Sequence, residues 1–139
     1  MIDYSKFRLS LKRLEEQHET LLFLDAALPK LIHEGIAESV IQRFETCYDC
    51  LWKVLKRYLN EGLGIADVPN SPKPVFRLAH ENNLFTVPIT QWLLYADTRI
   101  ATSHDYDGEK AKAALELVPN FVADATDLYE TMTGDSWVE

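Results

Sequence analysis

The stretch Arg99-Ile-Ala-Thr-Ser-His104-Asp-Tyr106 gathers the side chains of this sequence best suited to chemistry. Arg99 and Ser103 are four residues apart, so they share a face of any helix that carries them. His104 follows where that helix is expected to end. An arginine is always charged, and a histidine titrates near neutrality. A guanidinium grips a phosphate through two parallel hydrogen bonds, and an imidazole moves a proton. Arg99 and His104 together therefore resemble the pair of a metal-independent phosphodiester-cleaving site. Spacing alone also describes a solvated helix terminus, which is the more frequent meaning of such a pair. Asp105 and Asp107 stand close enough in sequence to tune His104, although Asp107 suits the N-cap of a following helix better.

Other chemistries find little support. There is no Gly-rich phosphate loop, no zinc-binding His-x-x-Glu-His helix and no Gly-x-Ser-x-Gly elbow. His18, His33 and His80 lack ligand-type partners one turn away and read as surface or half-buried residues. Cys47 and Cys50 form a Cys-x-x-Cys, but no second ligand pair and no thioredoxin-like pattern accompanies it. Within a helical segment, such cysteines behave as small hydrophobes. Neither a cofactor nor a metal is expected.

The net charge of −8 argues against a general nucleic-acid coat protein, which needs clustered cations. It is compatible with a small site gripping one phosphate, and with a partner that presents a basic face. The balance of 47% hydrophobic and 26% charged residues is that of a globular protein, and residues 1–139 are expected to form a single domain. No apolar run approaches the roughly 20 residues that span a bilayer. The first residues hold no apolar run of the signal-peptide kind, so a cytoplasmic protein without membrane contact is expected.

Five helices would position the Arg99 stretch. The first is expected from Ser5, as N-cap, to Leu28, with Pro29 as its stop and Phe7, Leu11, Leu14, Leu21, Leu24 and Leu28 as its apolar stripe. The second and longest spans Ile36 to Asn60 and ends at Gly62 and Gly64. Its wide stripe implies several neighbours. Glu45 on this helix could face the cleft, but beside Arg43 and Lys53 it reads as ordinary surface charge. A short helix follows at Pro74–Asn83, then one from Pro88 to Thr102–His104. The last, capped by Asp107, runs to Met132, with Pro119 expected to kink or split it. Trp52, Trp92 and Tyr95 could stack on a base; at helical spacing they more often belong to a core or dimer interface. No period-two segment predicts a strand. The sum is an all-α, up-and-down four-helix bundle with an additional short helix.

Arg99 through Tyr106 reads as Arg-x4-His-x-Tyr, which resembles the signature of HEPN domains paired with minimal nucleotidyltransferases. The segment Ile41–Leu59 is similar to the long second helix of the nucleotidyltransferase substrate-binding proteins. The Ser71-Pro72 loop, the Arg77-Leu-Ala79 turn and the Trp92 helix fit the same pattern in the same order. The resemblance implies a HEPN-like bundle that forms a homodimer, with two Arg-x4-His motifs facing across one composite cleft that takes a nucleotide or RNA. It implies a separately encoded nucleotidyltransferase partner. In one branch the pair is a toxin–antitoxin system: the HEPN chain is a ribonuclease, silenced by AMP added to the motif tyrosine. Carried over, Arg99 would hold the scissile phosphate and His104 would act as general acid or base. Tyr106 would accept the nucleotide, with Ser103 and Asp105 in support. Many members carry a polar residue, often Asn, directly after the motif arginine; this chain has Ile100. The alternatives are thus a partner subunit regulated at Tyr106, an active ribonuclease, and a dimeric scaffold whose site has decayed.

Overall fold

A computed structural model of the protein describes residues 1–103 and 108–137. Its helices are α1 (Ser5–Leu22), α2 (Lys30–Arg57), α3 (Pro72–Glu81), α4 (Ile89–Thr102) and α5 (Gly108–Thr133), and there is no strand among the described residues. The all-helical bundle expected from the sequence is thus borne out. No helix among the described residues is long and apolar enough to cross a membrane.

The long α2 is the spine and packs against each of the other four helices. Val40, Ile41, Phe44, Cys47, Tyr48, Leu51, Val54 and Leu55 are buried along it, so the wide stripe reflects several simultaneous neighbours. Phe7, Leu11 and Leu14 of α1 close one side, and Val118, Phe121, Ala125 and Leu128 of α5 close another. Between α3, α4 and α5 lies an aromatic cluster. Trp92 stacks on Phe85 with ring centroids 4.6 Å apart and meets Phe76 at 5.3 Å and Tyr95 at 5.2 Å. Tyr95 in turn meets Phe121 edge-on at 5.1 Å, an arrangement favoured by ring quadrupoles. Trp92 and Tyr95 are therefore core residues, which fixes α4 and with it Arg99.

Several boundaries differ from expectation. The first helix ends at Leu22 rather than Leu28. Proline disfavours helical geometry in the residue before it, and Asp25 organises a turn by accepting the Ala27 N–H on its carboxylate. The apolar period of Leu24 and Leu28 continues past the helix, leaving Leu28 39% exposed. Pro29 opens the next helix instead of closing the last: its carbonyl accepts the N–H groups of Ile32 and His33. Consequently α2 starts six residues earlier than the apolar stripe suggests, taking in Gly35. Ser5 is not the N-cap of α1; the Asp3 carboxylate accepts the Ser5 N–H at 2.9 Å and does that work.

At its far end α2 widens into a π-helical turn, Tyr58–Gly62. A Cβ at Gly62 would stand 2.9 Å from the Tyr58 ring and force that ring to shift, so this turn favours glycine; Gly64, at φ +72°, then reverses the chain. The short helix begins two residues earlier than expected, with Pro72 in its first turn, where a missing N–H costs nothing. Pro119 does not split α5; it lies inside a continuous helix on an exposed face. The Asp107 cap lies outside the described residues.

Burial has electrostatic consequences. Cys47 is fully buried and its thiol is pushed far up by desolvation, in keeping with a small hydrophobe. The Tyr95 hydroxyl donates to the Asp124 carboxylate. Desolvation raises Asp124 above its ordinary value, against the opposing effect of that bond. A folded-state pKa above the unfolded value means that the carboxyl binds its proton more tightly when folded. Its contribution therefore falls as pH rises through the window above the ordinary carboxylate value. Asp124→Asn keeps an acceptor for Tyr95 and is expected to be neutral to slightly stabilising at pH 7, with the difference shrinking towards pH 4. Urea denaturation at the two pH values measures this.

Candidate functional site

Arg99 lies in the last turn of α4, and its side chain reaches across to α2. Its Nε and Nη2 donate to the two carboxylate oxygens of Asp49 at 3.3 and 3.2 Å, and its Nη1 donates to Glu45 Oε2 at 3.3 Å. The same Glu45 oxygen accepts the Thr102 hydroxyl at 2.8 Å. Glu45 and Asp49 are four residues apart on one face of α2. Alone such a pair would repel, and Arg99 bridges them. The side chain of Glu45 is 12% exposed, that of Arg99 26% and that of Asp49 41%. The guanidinium is thus held from beneath by the less exposed acid and flanked by the more exposed one.

Beside this clamp is a groove of about 590 Å³, walled by Tyr48, Asp49 and Trp52 of α2, by Arg99, Ile100 and Ser103 of α4, and by the Ser71–Pro74 segment. The expected shared face of Arg99 and Ser103 is realised: both border this groove. The Ser103 hydroxyl donates to the Ile100 carbonyl at 2.6 Å and so closes its own helix end. Tyr48 is buried here, and its hydroxyl pKa is raised by desolvation and by the neighbouring Asp49 charge, partly offset by Arg99. Trp52 is half-buried on the wall, unlike Trp92 and Tyr95. At the rim, Lys73 pairs with Asp97 at 2.6 Å. His104, Asp105 and Tyr106 lie outside the described residues.

Glu45 is not ordinary surface charge, and Asp49 is a site residue that sequence reasoning missed. The available signal was the pair of acids one turn apart, a spacing that calls for a bridging cation. Thr102, a buried polar residue, depends on the same acid. Thr102→Val is expected to cost about 1.5–3 kcal/mol, the loss of one hydrogen bond to a charged group within a partly buried network. Chemical denaturation would check it.

The family described as nucleotidyltransferase substrate binding protein like matches residues 2–134. The chain belongs to this family. A Haemophilus influenzae relative, named probable ribonuclease HepT, is 29% identical over 106 residues, covering 75% of this chain and 72% of that one. Among solved structures, a Haemophilus influenzae protein described as a substrate-binding domain of a nucleotidyltransferase superposes with a TM-score of 0.84. It is 25% identical and covers 94% of this chain and 98% of its own. A Thermus thermophilus protein superposes with a TM-score of 0.76 at 28% identity, covering 91% and 98%. This nucleotidyltransferase substrate-binding family member therefore shares its helical fold with both solved relatives over nearly its whole length.

Proposed function

We propose that this chain is the ribonuclease-type subunit of a two-component, toxin–antitoxin-type pair, working beside a separately encoded minimal nucleotidyltransferase. The observation that carries the reading is Arg99, fixed at the edge of an open groove by Glu45 and Asp49, five residues before His104. Family membership supports the nucleotidyltransferase partner, and the ribonuclease name of the Haemophilus relative supports the reaction.

In this reading a phosphate oxygen exchanges with Asp49. That partner is the more exposed one, and its contacts exceed the roughly 2.7–2.9 Å of strong charge-assisted bonds. Glu45 keeps the guanidinium oriented from the buried side. The ribose 2′-oxygen attacks phosphorus and the bond to the 5′-oxygen breaks. His104 takes the 2′ proton and, as the imidazolium so formed, returns it to the leaving 5′-oxygen, while Arg99 stabilises the charge that develops on the phosphate. In a homodimer, two such sets would line one cleft. AMP on Tyr106 would place a bulky anion next to Arg99 and His104 and exclude substrate on steric and electrostatic grounds.

The test combines RNA, the nucleotidyltransferase encoded beside this gene and ATP. The wild-type chain should cleave RNA alone and fall silent once Tyr106 carries one adenylate, read by intact mass. Tyr106→Phe should stay active. Absence of both complex formation and nucleotide transfer would sink the pairing. One observation favours the decayed-scaffold reading: Ile100, in the position of the family's frequent polar residue, is 55% exposed at the groove edge. A wild-type chain that leaves RNA intact yet binds the nucleotidyltransferase would establish that version.

A further inference from the structure

On the opposite flank of α2, a second groove of about 470 Å³ runs between α1 and α2. Its described lining contains three cations, Lys6 and Arg13 of α1 and Arg43 of α2, and no carboxylate, in a chain of net charge −8. The composition follows from two helical stripes. Lys6, Leu9 and Arg13 recur at steps of three and four along α1. Arg43, Thr46, Cys50 and Lys53 do the same along α2. None of Lys6, Arg13, Arg43 and Lys53 forms an ion pair among the described residues, whereas Arg57, next along the stripe, is committed to Glu61 at 2.9 Å. Within the α1–α2 groove the like charges of Lys6, Arg13 and Arg43 meet no carboxylate in the lining, which favours a visiting anion.

We infer that this groove is a track for single-stranded RNA, feeding the Arg99 groove around the side of α2. The two grooves are linked through shared walls: Lys6, Thr46 and Cys50 also border an adjoining depression that holds Lys53 and Arg57 along with Asp3 and Asp49, and Asp49 in turn borders the Arg99 groove. Arg43 and Lys53 are ten residues apart, about 15 Å along the helix, a span that matches four or so stacked nucleotides at roughly 3.4 Å each. Leu9, 53% exposed between Lys6 and Arg13, offers an apolar seat for a base. The Gln42 and Thr46 side chains, also in the lining, supply neutral donors for phosphate or sugar oxygens. A concave slot with spaced cations and an apolar seat suits a flexible nucleic-acid strand better than an acidic protein surface. The inference rests on the ribonuclease reading only for its direction towards Arg99; the binding of RNA in the groove stands on the cations.

The test is fluorescence anisotropy with a labelled 12-nucleotide RNA across a salt series, with single-turnover cleavage in parallel. Arg13→Glu/Arg43→Glu is expected to weaken binding about tenfold or more and to flatten the log–log salt slope by about 1.4, two contacts at roughly 0.7 each. Lys6→Glu/Lys53→Glu, on exposed positions, is the independent second pair and should behave alike. Arg99→Ala should leave the salt slope within one contact of wild type. Binding that neither double variant weakens, or that polyglutamate displaces as readily as RNA does, overturns the track. If RNA is cleaved with unchanged kcat/KM by both double variants, the track is wrong and the ribonuclease reading stands. If binding depends on the groove but no cleavage occurs, the track stands and the ribonuclease reading fails.

Discussion

Arg99→Ala is expected to lower the single-turnover rate of RNA cleavage about 10²–10³-fold, the size of effect seen when one preorganised charge-stabilising donor is removed. Arg99→Lys should fare little better. The guanidinium reaches both Asp49 oxygens and Glu45 at once through donors on three different nitrogens, a fork that one ammonium nitrogen cannot reproduce. Truncation has a structural cost too, because Glu45 and Asp49 are left as like charges one turn apart, with Glu45 largely buried. That cost is put at about 1–3 kcal/mol, within the range for leaving a partly buried charge without its partner. Adding Glu45→Gln to Arg99→Ala should recover most of the stability and none of the activity, which separates the two roles. Asp49→Asn has the opposite expectation: under the proposed exchange of Asp49 for phosphate, neutralising this half-exposed acid should tighten RNA binding. Thermal melts alongside cleavage rates distinguish these outcomes.

The second large effect lies in the core. Trp92→Ala is expected to destabilise the bundle by about 3–5 kcal/mol, the usual range for emptying a large aromatic site. Trp92 is 1% exposed and touches Phe76, Phe85, Tyr95 and Phe121, so a void there removes contacts from α3, α4 and α5 together. Trp92→Phe should cost much less. The indole N–H is buried and finds no acceptor among the described residues, so replacing it with a hydrocarbon ring removes an unsatisfied donor while keeping most of the aromatic area. Urea midpoints for the two variants measure the difference. Because Trp92 sits two turns before Arg99 on the same helix, Trp92→Ala should also loosen the Arg99 clamp and reduce cleavage beyond any loss of folded protein.

The contrast between Trp92 and Glu45 illustrates what could be read from one sequence. Trp92 and Tyr95 lie within a 3.6-residue apolar pattern, and local periodicity reports burial directly. The shared face of Arg99 and Ser103 is likewise a matter of spacing on one helix. Glu45 meets Arg99 across 54 residues of chain, and nothing local distinguishes an acid that faces a cleft from one that faces solvent. Only the acid pair Glu45 and Asp49 carried a trace of that contact. Helix ends were the other weak point. Leu24 and Leu28 continue the period of α1 past the point where Pro29 and the Asp25 turn redirect the chain, so periodicity overran the helix and hid the true start of α2. In both cases the deciding interaction is either long-range or a capping contact outside the apolar pattern.

The most direct measurement is single-turnover cleavage of a labelled RNA by the wild-type chain and by His104→Ala in the presence of a chelator, with product ends identified by mass. The wild type should cut the RNA, leave 2′,3′-cyclic phosphate ends and spare an all-deoxy copy of the same strand, while His104→Ala leaves the RNA intact. A wild type that fails to cut, or a His104→Ala variant that cuts as fast as wild type, would contradict a ribonuclease site built on Arg99 and His104.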